Sequence, residues 1–425
     1  MLRKPVITVG LTGAIRVANV LLTLATSVLL ARILGIEEFG KYAFLNSLIL
    51  IISIPARMGL PQLVLRETAY AKREEEFGKI RGIWRWATKT ALGISLSITA
   101  LVAVVVYFSR ETFPDPLAAI LALALIPLIS LGNLRSASLR GFGRVVTGQL
   151  PELLLRPAFF VIVLAYFFWR QPPQGMTAVD GILINAGSAL AAFLVGTAML
   201  VHIVRRMPSQ EIEPFGDRTL ILSAMSLGLI AGLTAINNNL DIIMIRFWMS
   251  ERAVGLYRPA SAISDVAMFG AQIVTVVIMP RVASLFRGKE IDQLERLVRR
   301  ATWFSTAFGI SALVAIFAFG SEMLSRLYGP EYAGAYWTLL ILTLGQAVNA
   351  SFGAAAALLN MSGLENRTLR AIAISISVNV VLNAILMNFM GINGAALATL
   401  LSVWCYKILL TRDIKRLLGV QTNFF

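Results

Sequence analysis

The sequence predicts an all-α integral membrane protein of twelve transmembrane helices arranged in two six-helix lobes. Its composition is the first observation: 57% of the 425 residues are hydrophobic and 14% are charged, against about 25% charged residues in soluble domains. Apolar runs of about 20 residues, enough to cross roughly 30 Å of hydrocarbon as helix, also recur along the whole chain. These twelve runs lie at approximately 7–31, 41–62, 86–109, 116–138, 146–169, 178–204, 219–246, 255–280, 302–324, 335–358, 369–389 and 391–411.

The basic residues predict an orientation in the membrane. If the N-terminus is cytoplasmic, 26 of the 38 Lys and Arg residues fall in cytoplasmic segments. Those segments are 3–4, 66–85, 135–144, 205–218, 281–300, 367–370 and 407–416. This is the positive-inside pattern. It predicts a multi-pass protein of the cytoplasmic membrane with both termini inside, and it explains the net charge of +15 without nucleic acid as a partner.

The scarcity of reactive side chains argues against an enzyme. A single cysteine, Cys405, excludes a disulfide framework and a C-x-x-C metal site within the chain. A single histidine, His202, makes a Ser-His-Asp triad or a histidine metal centre improbable. We therefore expect no catalytic residues, no bound metal and no cofactor.

The two halves of the chain repeat one another weakly. Sliding the sequence by 215 residues superimposes turn glycines, span edges and basic loop residues over 13–85 without a gap. Tyr42 of "GKY" then falls on Tyr257 of "GLY", and Arg81 falls on Arg296. Because six crossings preserve direction, the lobes are expected to be parallel repeats. Their predicted extents are 1–206 and 207–425.

Polar side chains at helical spacing mark one face of several spans. In span 1, Arg16, Asn19 and Thr23 share a face. Lipid cannot satisfy such groups, so they should turn toward other helices or water. Interhelical hydrogen bonds explain the Ser and Thr members. Salt bridges of Arg16 with Asp241, or of Arg156 with Glu152, are an alternative explanation for the charged members.

The charged members favour a water-filled cavity between the two halves. Its candidate lining residues are Arg16, Asn19, Thr23, Arg57, Gln149, Arg156, Asn238, Arg258 and Gln272. Arginines outnumber carboxylates in this set, and guanidinium groups bind phosphate oxygens in bidentate fashion. The remaining candidates are Glu152, Asp241 and Asp265, either as partners of those arginines or as sites that take protons or Na⁺ for coupling.

Three stretches carry a resemblance to a known family: "LARILGIEEFGKYAFLNSLI" after span 1, "NNNLDIIMIRFWMSERAVGLYRPASAI" across spans 7 and 8, and "GINGAALATLLS" at 391–402. Through them the full chain resembles the polysaccharide-biosynthesis (O-antigen type) flippases. These belong to the multidrug/oligosaccharidyl-lipid/polysaccharide exporter (MOP) superfamily. Asp241 occupies the aspartate of the family's stretch before the second G-x-Y.

The resemblance implies two six-helix lobes around a central cavity lined largely by spans 1, 2, 7 and 8. It implies flipping of polyprenyl-pyrophosphate-linked oligosaccharide repeat units by alternating access, for surface polysaccharide biosynthesis. The implied partners are the lipid-linked oligosaccharide, the bilayer, and a polysaccharide polymerase or glycosyltransferases. The family's fourteen-span versions carry two further helices that this chain lacks.

Three alternatives remain open from the sequence. A drug/cation antiporter of the same superfamily would need a dominant buried acid, and the surplus of arginine within the spans disfavours it. A lipid II flippase of the same superfamily would use the same physical chemistry. An integral-membrane glycosyltransferase is disfavoured because the outer loops are short and lack a D-x-D motif.

Overall fold

A computed structural model describes residues 3–57, 59–108, 116–170, 175–216, 218–288, 290–353 and 355–418. Regular structure in this part of the chain is entirely helical. The α-helices are α1 Arg3–Ile52, α2 Ile54–Arg57, α3 Leu60–Arg73, α4 Phe77–Phe108, α5 Pro116–Ala122, α6 Leu125–Gly141, α7 Val145–Leu150, α8 Arg156–Trp169, α9 Ala178–Arg205, α10 Arg218–Trp248, α11 Glu251–Arg287, α12 Ile291–Leu327, α13 Tyr336–Ser351, α14 Ala355–Met361, α15 Glu365–Met390 and α16 Ile392–Leu418. A π-helix, Pro151–Leu155, joins α7 to α8, and a 3₁₀ helix, Pro330–Ala335, precedes α13.

The helices confirm the all-α membrane class. Nine segments of the described chain are long and apolar enough to cross a membrane. Predicted span 1 and the first part of span 2 fall within α1, which is interrupted at Gly35, where φ is 74° and ψ is 175°; the rest of span 2 reaches α2 and the start of α3. Glycine adopts this left-handed φ without the steric cost that a Cβ would impose. Span 10 coincides with α13, which has only 16 residues, so twelve crossings stay a prediction.

The chain divides into two compact units, Met1–Asn239 and Leu240–Phe425. The division falls inside α10. Residues 207–216, which the predicted boundary assigns to the second lobe, are hydrogen-bonded to α4 in unit 1: Arg81 donates to the carbonyls of Met207 and Pro208 at 3.2 and 2.9 Å.

Each unit has its own buried apolar core near one end of its helices. In unit 1, α3, α4 and α6 meet around Val64, Ile80, Ile83 and Leu134. Within that core the indole N–H of Trp84 donates to Thr68 Oγ1 at 2.8 Å. In unit 2, a second core brings together residues of α11, α12 and α14–α16, including Leu294, Leu359, Leu410 and Ile414. These cores fix the positions of the helices. Polar side chains elsewhere on the same helices can therefore form hydrogen bonds with one another.

Candidate functional site

The polar site of unit 1 is built around an irregular turn between α7 and α8. The N–H of Arg156 donates to the carbonyl of Pro151, the i to i+5 bond of a π-helix. Single π-turns of this kind are frequent at functional sites. Residue 157 is proline and has no N–H to offer the carbonyl of Leu153. The side-chain amide of Asn19, on α1, donates to that carbonyl at 2.8 Å.

Arg156 joins a chain of buried polar groups. Its Nη2 donates to Asn185 Oδ1 at 3.0 Å. Asn185 Nδ2 in turn donates to the hydroxyl of Tyr42 at 3.0 Å and to Asn46 Oδ1 at 3.4 Å. Tyr42 and Asn185 are both buried. The network therefore ties α1, α8 and α9 together around one guanidinium group.

Glu152 pairs with an arginine that the sequence analysis did not propose as a site residue. Arg135 belongs to the basic segment 135–144; it lies buried in α6, and its Nη2 contacts Glu152 Oε1 at 2.6 Å. Its Nη1 also donates to the carbonyl of Phe193 at 2.7 Å. Glu152 is thus paired with Arg135 and not with Arg156, the partner considered from the sequence.

Three further arginines of unit 1 carry no carboxylate partner in the described residues. Arg16 and Arg140 lie close enough for their charges to repel, and the buried Arg16 Nε has no hydrogen-bond acceptor there. Arg57 folds back onto the end of α1, where its Nη2 donates to the carbonyl of Leu50 at 3.0 Å. The side-chain oxygen of Gln149, two residues before the π-helix, is buried and accepts no hydrogen bond in the described chain. Unit 1 therefore carries arginine charges that no carboxylate of the described chain compensates.

In unit 2 the corresponding polar cluster holds a carboxylate. Asp241, on α10, is 8% exposed and accepts four hydrogen bonds. The donors are Tyr257 at 2.9 Å, Asn383 at 2.9 Å, Asn379 at 3.3 Å and Thr399 at 2.5 Å. All four are neutral, and no Lys or Arg of the described chain lies within ion-pair distance of Asp241. A carboxylate removed from water and surrounded by neutral groups is costly unless it is protonated or a cation binds beside it.

The oxygens around Asp241 are suited to a small hard cation. Asn383 is completely buried, and its Oδ1 has no hydrogen-bond donor in the described chain. Carboxylate, amide and hydroxyl oxygens are the ligands that hard cations prefer. The cluster, defined here as Asp241, Asn379, Asn383 and Thr399, thus offers oxygen ligands from three helices, together with the negative charge that would bind a proton or a monovalent ion.

One tyrosine of the sequence repeat lies beside each of the two clusters. Tyr42 and Tyr257, which superimpose at the offset of 215, each contact the polar cluster of their own unit. Unit 1 has the cation Arg156 beside Asn185, whereas unit 2 has the anion Asp241. At the offset of 215 Asp241 falls on Thr26, so the cation and the anion occupy different positions of the repeat.

The remaining predicted residues are less enclosed. Thr23, Asn238 and Gln272 have exposed side chains. Asp265 is also exposed; it accepts from Gln346 Nε2 at 3.3 Å and lies within electrostatic reach of Arg258 on the same helix. Of the two acidic candidates in unit 2, only Asp241 is enclosed by polar partners from several helices.

Several site residues escaped the sequence reasoning. They are Arg135, Arg140, Asn185, Asn379, Asn383 and Thr399. The spacing of Ser375, Asn379 and Asn383 at i, i+4 and i+8 is a polar stripe of the kind recognised in other spans, and it could have identified α15. Arg135 had no such signal, because it lies beside the basic loop that follows α6.

Comparison with solved structures identifies the class of protein. A multidrug resistance transporter of the MATE family, in the MOP superfamily, superimposes in its inward-facing conformation with a TM-score of 0.73 at 15% identity, covering 93% of this chain and 96% of that one. The lipid II flippase MurJ, in its inward closed conformation, superimposes with a TM-score of 0.69 at 13% identity, covering 93% and 86%. The chain therefore has the fold of the MOP-superfamily transporters.

Sequence comparison identifies the family. The family model described as polysaccharide biosynthesis protein matches residues 8–286, and the chain belongs to this family. A curated relative from Haloferax volcanii, the probable low-salt glycan biosynthesis flippase Agl15, is 26% identical over 384 residues, covering 88% of this chain and 75% of that protein. The family and the fold predicted from the three quoted stretches are confirmed.

Proposed function

We propose that this protein flips a polyprenyl-pyrophosphate-linked oligosaccharide across the cytoplasmic membrane by alternating access. Family membership and the names of its relatives support the transport of a lipid-linked glycan. The observation that carries the proposal is that Arg16, Arg57 and Arg140 have no carboxylate partner in the described chain, and that the buried Arg16 Nε has no hydrogen-bond acceptor there.

A pyrophosphate supplies the negative charge that these arginines lack. An anion offsets the positive charge of guanidinium groups and accepts charge-assisted hydrogen bonds from them. The sugar part of the substrate would contact neutral polar side chains such as Thr23, which is exposed. The polyprenyl tail would stay in the hydrocarbon region.

Asp241 is the residue to which we assign coupling. Protonation or Na⁺ binding at its cluster would remove a buried negative charge, and so would change the relative free energies of two conformations of unit 2. The orphan Asn383 Oδ1 favours a bound Na⁺ over a proton, because a proton on Asp241 would leave that oxygen without a partner.

Transport of fluorescent lipid-linked oligosaccharide in proteoliposomes tests the anion site. The variant Arg16→Gln/Arg140→Gln is expected to lower the initial rate at least tenfold, while Arg16→Lys/Arg140→Lys retains part of it because the charge remains. The control is Arg85→Gln, which removes an exposed arginine that makes no contact described above. Unchanged transport by the double glutamine variant would refute the cationic site.

The coupling assignment is tested by comparing two carboxylates. Asp241→Asn is expected to abolish the dependence of transport on a Na⁺ or proton gradient, whereas Asp265→Asn should leave it in place. The opposite pattern would exclude Asp241 as the coupling site. Resistance to cationic drugs in a sensitised strain measures the rival antiporter function, which predicts efflux that depends on Asp241 and is indifferent to Arg16.

A further inference from the structure

A groove on unit 1 has no role in the proposed transport. It has a volume of about 890 Å³, within the range of about 300–1,000 Å³ typical of small-molecule sites. It lies where the start of α4, the turn between α6 and α7, and the end of α9 converge. Its walls include Phe77, Val195, Met199 and Ile203.

The rim of the groove is basic. Arg144, His202 and Arg206 line it, and no acidic residue does. All three side chains are exposed, and none of them forms a hydrogen bond or an ion pair in the described part of the chain. The groove therefore combines an apolar floor with cationic groups that are available to a ligand.

The groove continues into the lipid-facing side of α9. Leu190, Leu194 and Val201 are exposed on this helix, by 46%, 59% and 41%, and α9 is one of the candidate membrane spans. A hydrocarbon chain leaving the groove would meet apolar side chains, not water. A hydrated inorganic anion has no apolar part that such a surface could bind. An acidic peptide would have to bury backbone polar groups against apolar side chains, which is costly.

We propose that this groove binds an anionic membrane phospholipid, with its phosphate at Arg144 and Arg206 and its hydrocarbon chains along Val195, Met199 and the exposed face of α9. Basic pockets between membrane helices bind anionic headgroups in this way. The groove lies at the end of α9 that the distribution of basic residues assigns to the cytoplasm, where the leaflet carries anionic lipid. This inference does not depend on the identity of the transported substrate.

Native mass spectrometry of the full chain, equilibrated with equal amounts of phosphatidylglycerol and phosphatidylcholine, tests the proposal. The protein is expected to retain phosphatidylglycerol preferentially. Each arginine near a membrane surface contributes about a fivefold change in affinity for anionic lipid. Arg144→Gln/Arg206→Gln should therefore weaken retention of phosphatidylglycerol by about 25-fold and leave phosphatidylcholine unaffected.

The matched control is Arg73→Gln/Arg205→Gln, which removes two exposed arginines outside the groove with the same change in net charge. It should keep the wild-type preference. An equal loss in both double variants would show that net charge alone attracts the lipid and would overturn the proposal, as would equal retention of the two lipids by the wild type.

A second variant tests the groove itself. Ala198 lines it and is exposed, so Ala198→Phe adds bulk inside the groove without a charge change or a buried clash. It should reduce phosphatidylglycerol retention. Undiminished retention would mean that the hydrocarbon chains lie elsewhere, and displacement of the lipid by equimolar polyprenyl phosphate would assign the groove to a different lipid; either result refutes the proposal.

Discussion

Asn19 donates its side-chain amide to the carbonyl of Leu153, 134 residues away, across 2.8 Å. That carbonyl has no α-helical donor because the residue four positions on is Pro157. Asn19 is a predicted cavity residue. In the structure its amide supplies the hydrogen bond that the Leu153 carbonyl of the π-helix before Arg156 would otherwise lack. Its hydrogen bond joins α1 to the π-turn that positions the arginine.

Asn19→Leu should destabilise the protein by about 1–3 kcal/mol, because a partly buried carbonyl loses its donor. Pro157→Ala restores an N–H at the right position, so the cost of Asn19→Leu should fall in that background. Unfolding in mixed micelles with increasing dodecyl sulfate measures the cost of Asn19→Leu in the wild-type and the Pro157→Ala backgrounds. Asn388→Leu is the control, since Asn388 is exposed and, within the described residues, its side chain bonds only to the carbonyl of Ala384 on its own helix. Additive costs at positions 19 and 157 would contradict this interpretation.

The buried ion pair between Arg135 and Glu152 should behave as a unit. Arg135→Met leaves a carboxylate without its cation and should cost about 3–5 kcal/mol of unfolding free energy. The double variant Arg135→Met/Glu152→Met should cost less than the sum of the two single changes, as a double-mutant cycle would record. Independent contributions from the two residues would exclude a significant interaction between them.

Gly196 leaves room for the Arg135 guanidinium. A Cβ at this position would lie 2.3 Å from Arg135 Cζ, so Gly196→Ala must displace the arginine from Glu152 and Phe193. The same helix supplies the control: a Cβ at Gly187 would meet nothing within 4 Å. Gly187→Ala should stabilise α9 by up to about 1 kcal/mol through helix propensity, whereas Gly196→Ala should lower the midpoint of thermal unfolding. Equal shifts would disprove the steric argument.

The segment 207–216 packs directly against glycines of α4. A Cβ at Gly78 or Gly82 would lie 2.0 or 1.8 Å from the carbonyl oxygen of Glu211 or Glu213. Gly78→Ala/Gly82→Ala should therefore release the segment and speed tryptic cleavage after Arg205 or Arg206. Gly93→Ala, on the same helix with nothing within 4 Å of the added Cβ, should leave the cleavage rate unchanged. Equal rates in the two variants would mean that the segment is held by other contacts.

The membrane class could be predicted from the sequence because it depends on composition and span length, which are local properties. Helix positions followed for the same reason. The offset of 215 pairs Tyr42 with Tyr257, and each of them contacts a polar cluster of its own unit. Arg156 and Asp241 could be predicted as site residues because a charged side chain is rare and costly within an apolar span. Asn379 and Asn383 could not be recognised in this way, because an uncharged amide within a span often serves only to bond neighbouring helices. Its role is clear only once its contacts are known.

The sequence by itself determined that this chain is a helical membrane protein of the polysaccharide biosynthesis family, with arginine-rich spans in its first half and a buried aspartate in its second. Only the tertiary structure decided which groups pair: Glu152 with Arg135, Arg156 with Asn185, and Asp241 with four neutral donors. The physical reason is that a helical pattern indicates which side chains share a face, whereas a partner on another helix depends on how far both helices are rotated. A change of one residue turns a side chain by about 100°, and distant packing sets that rotation.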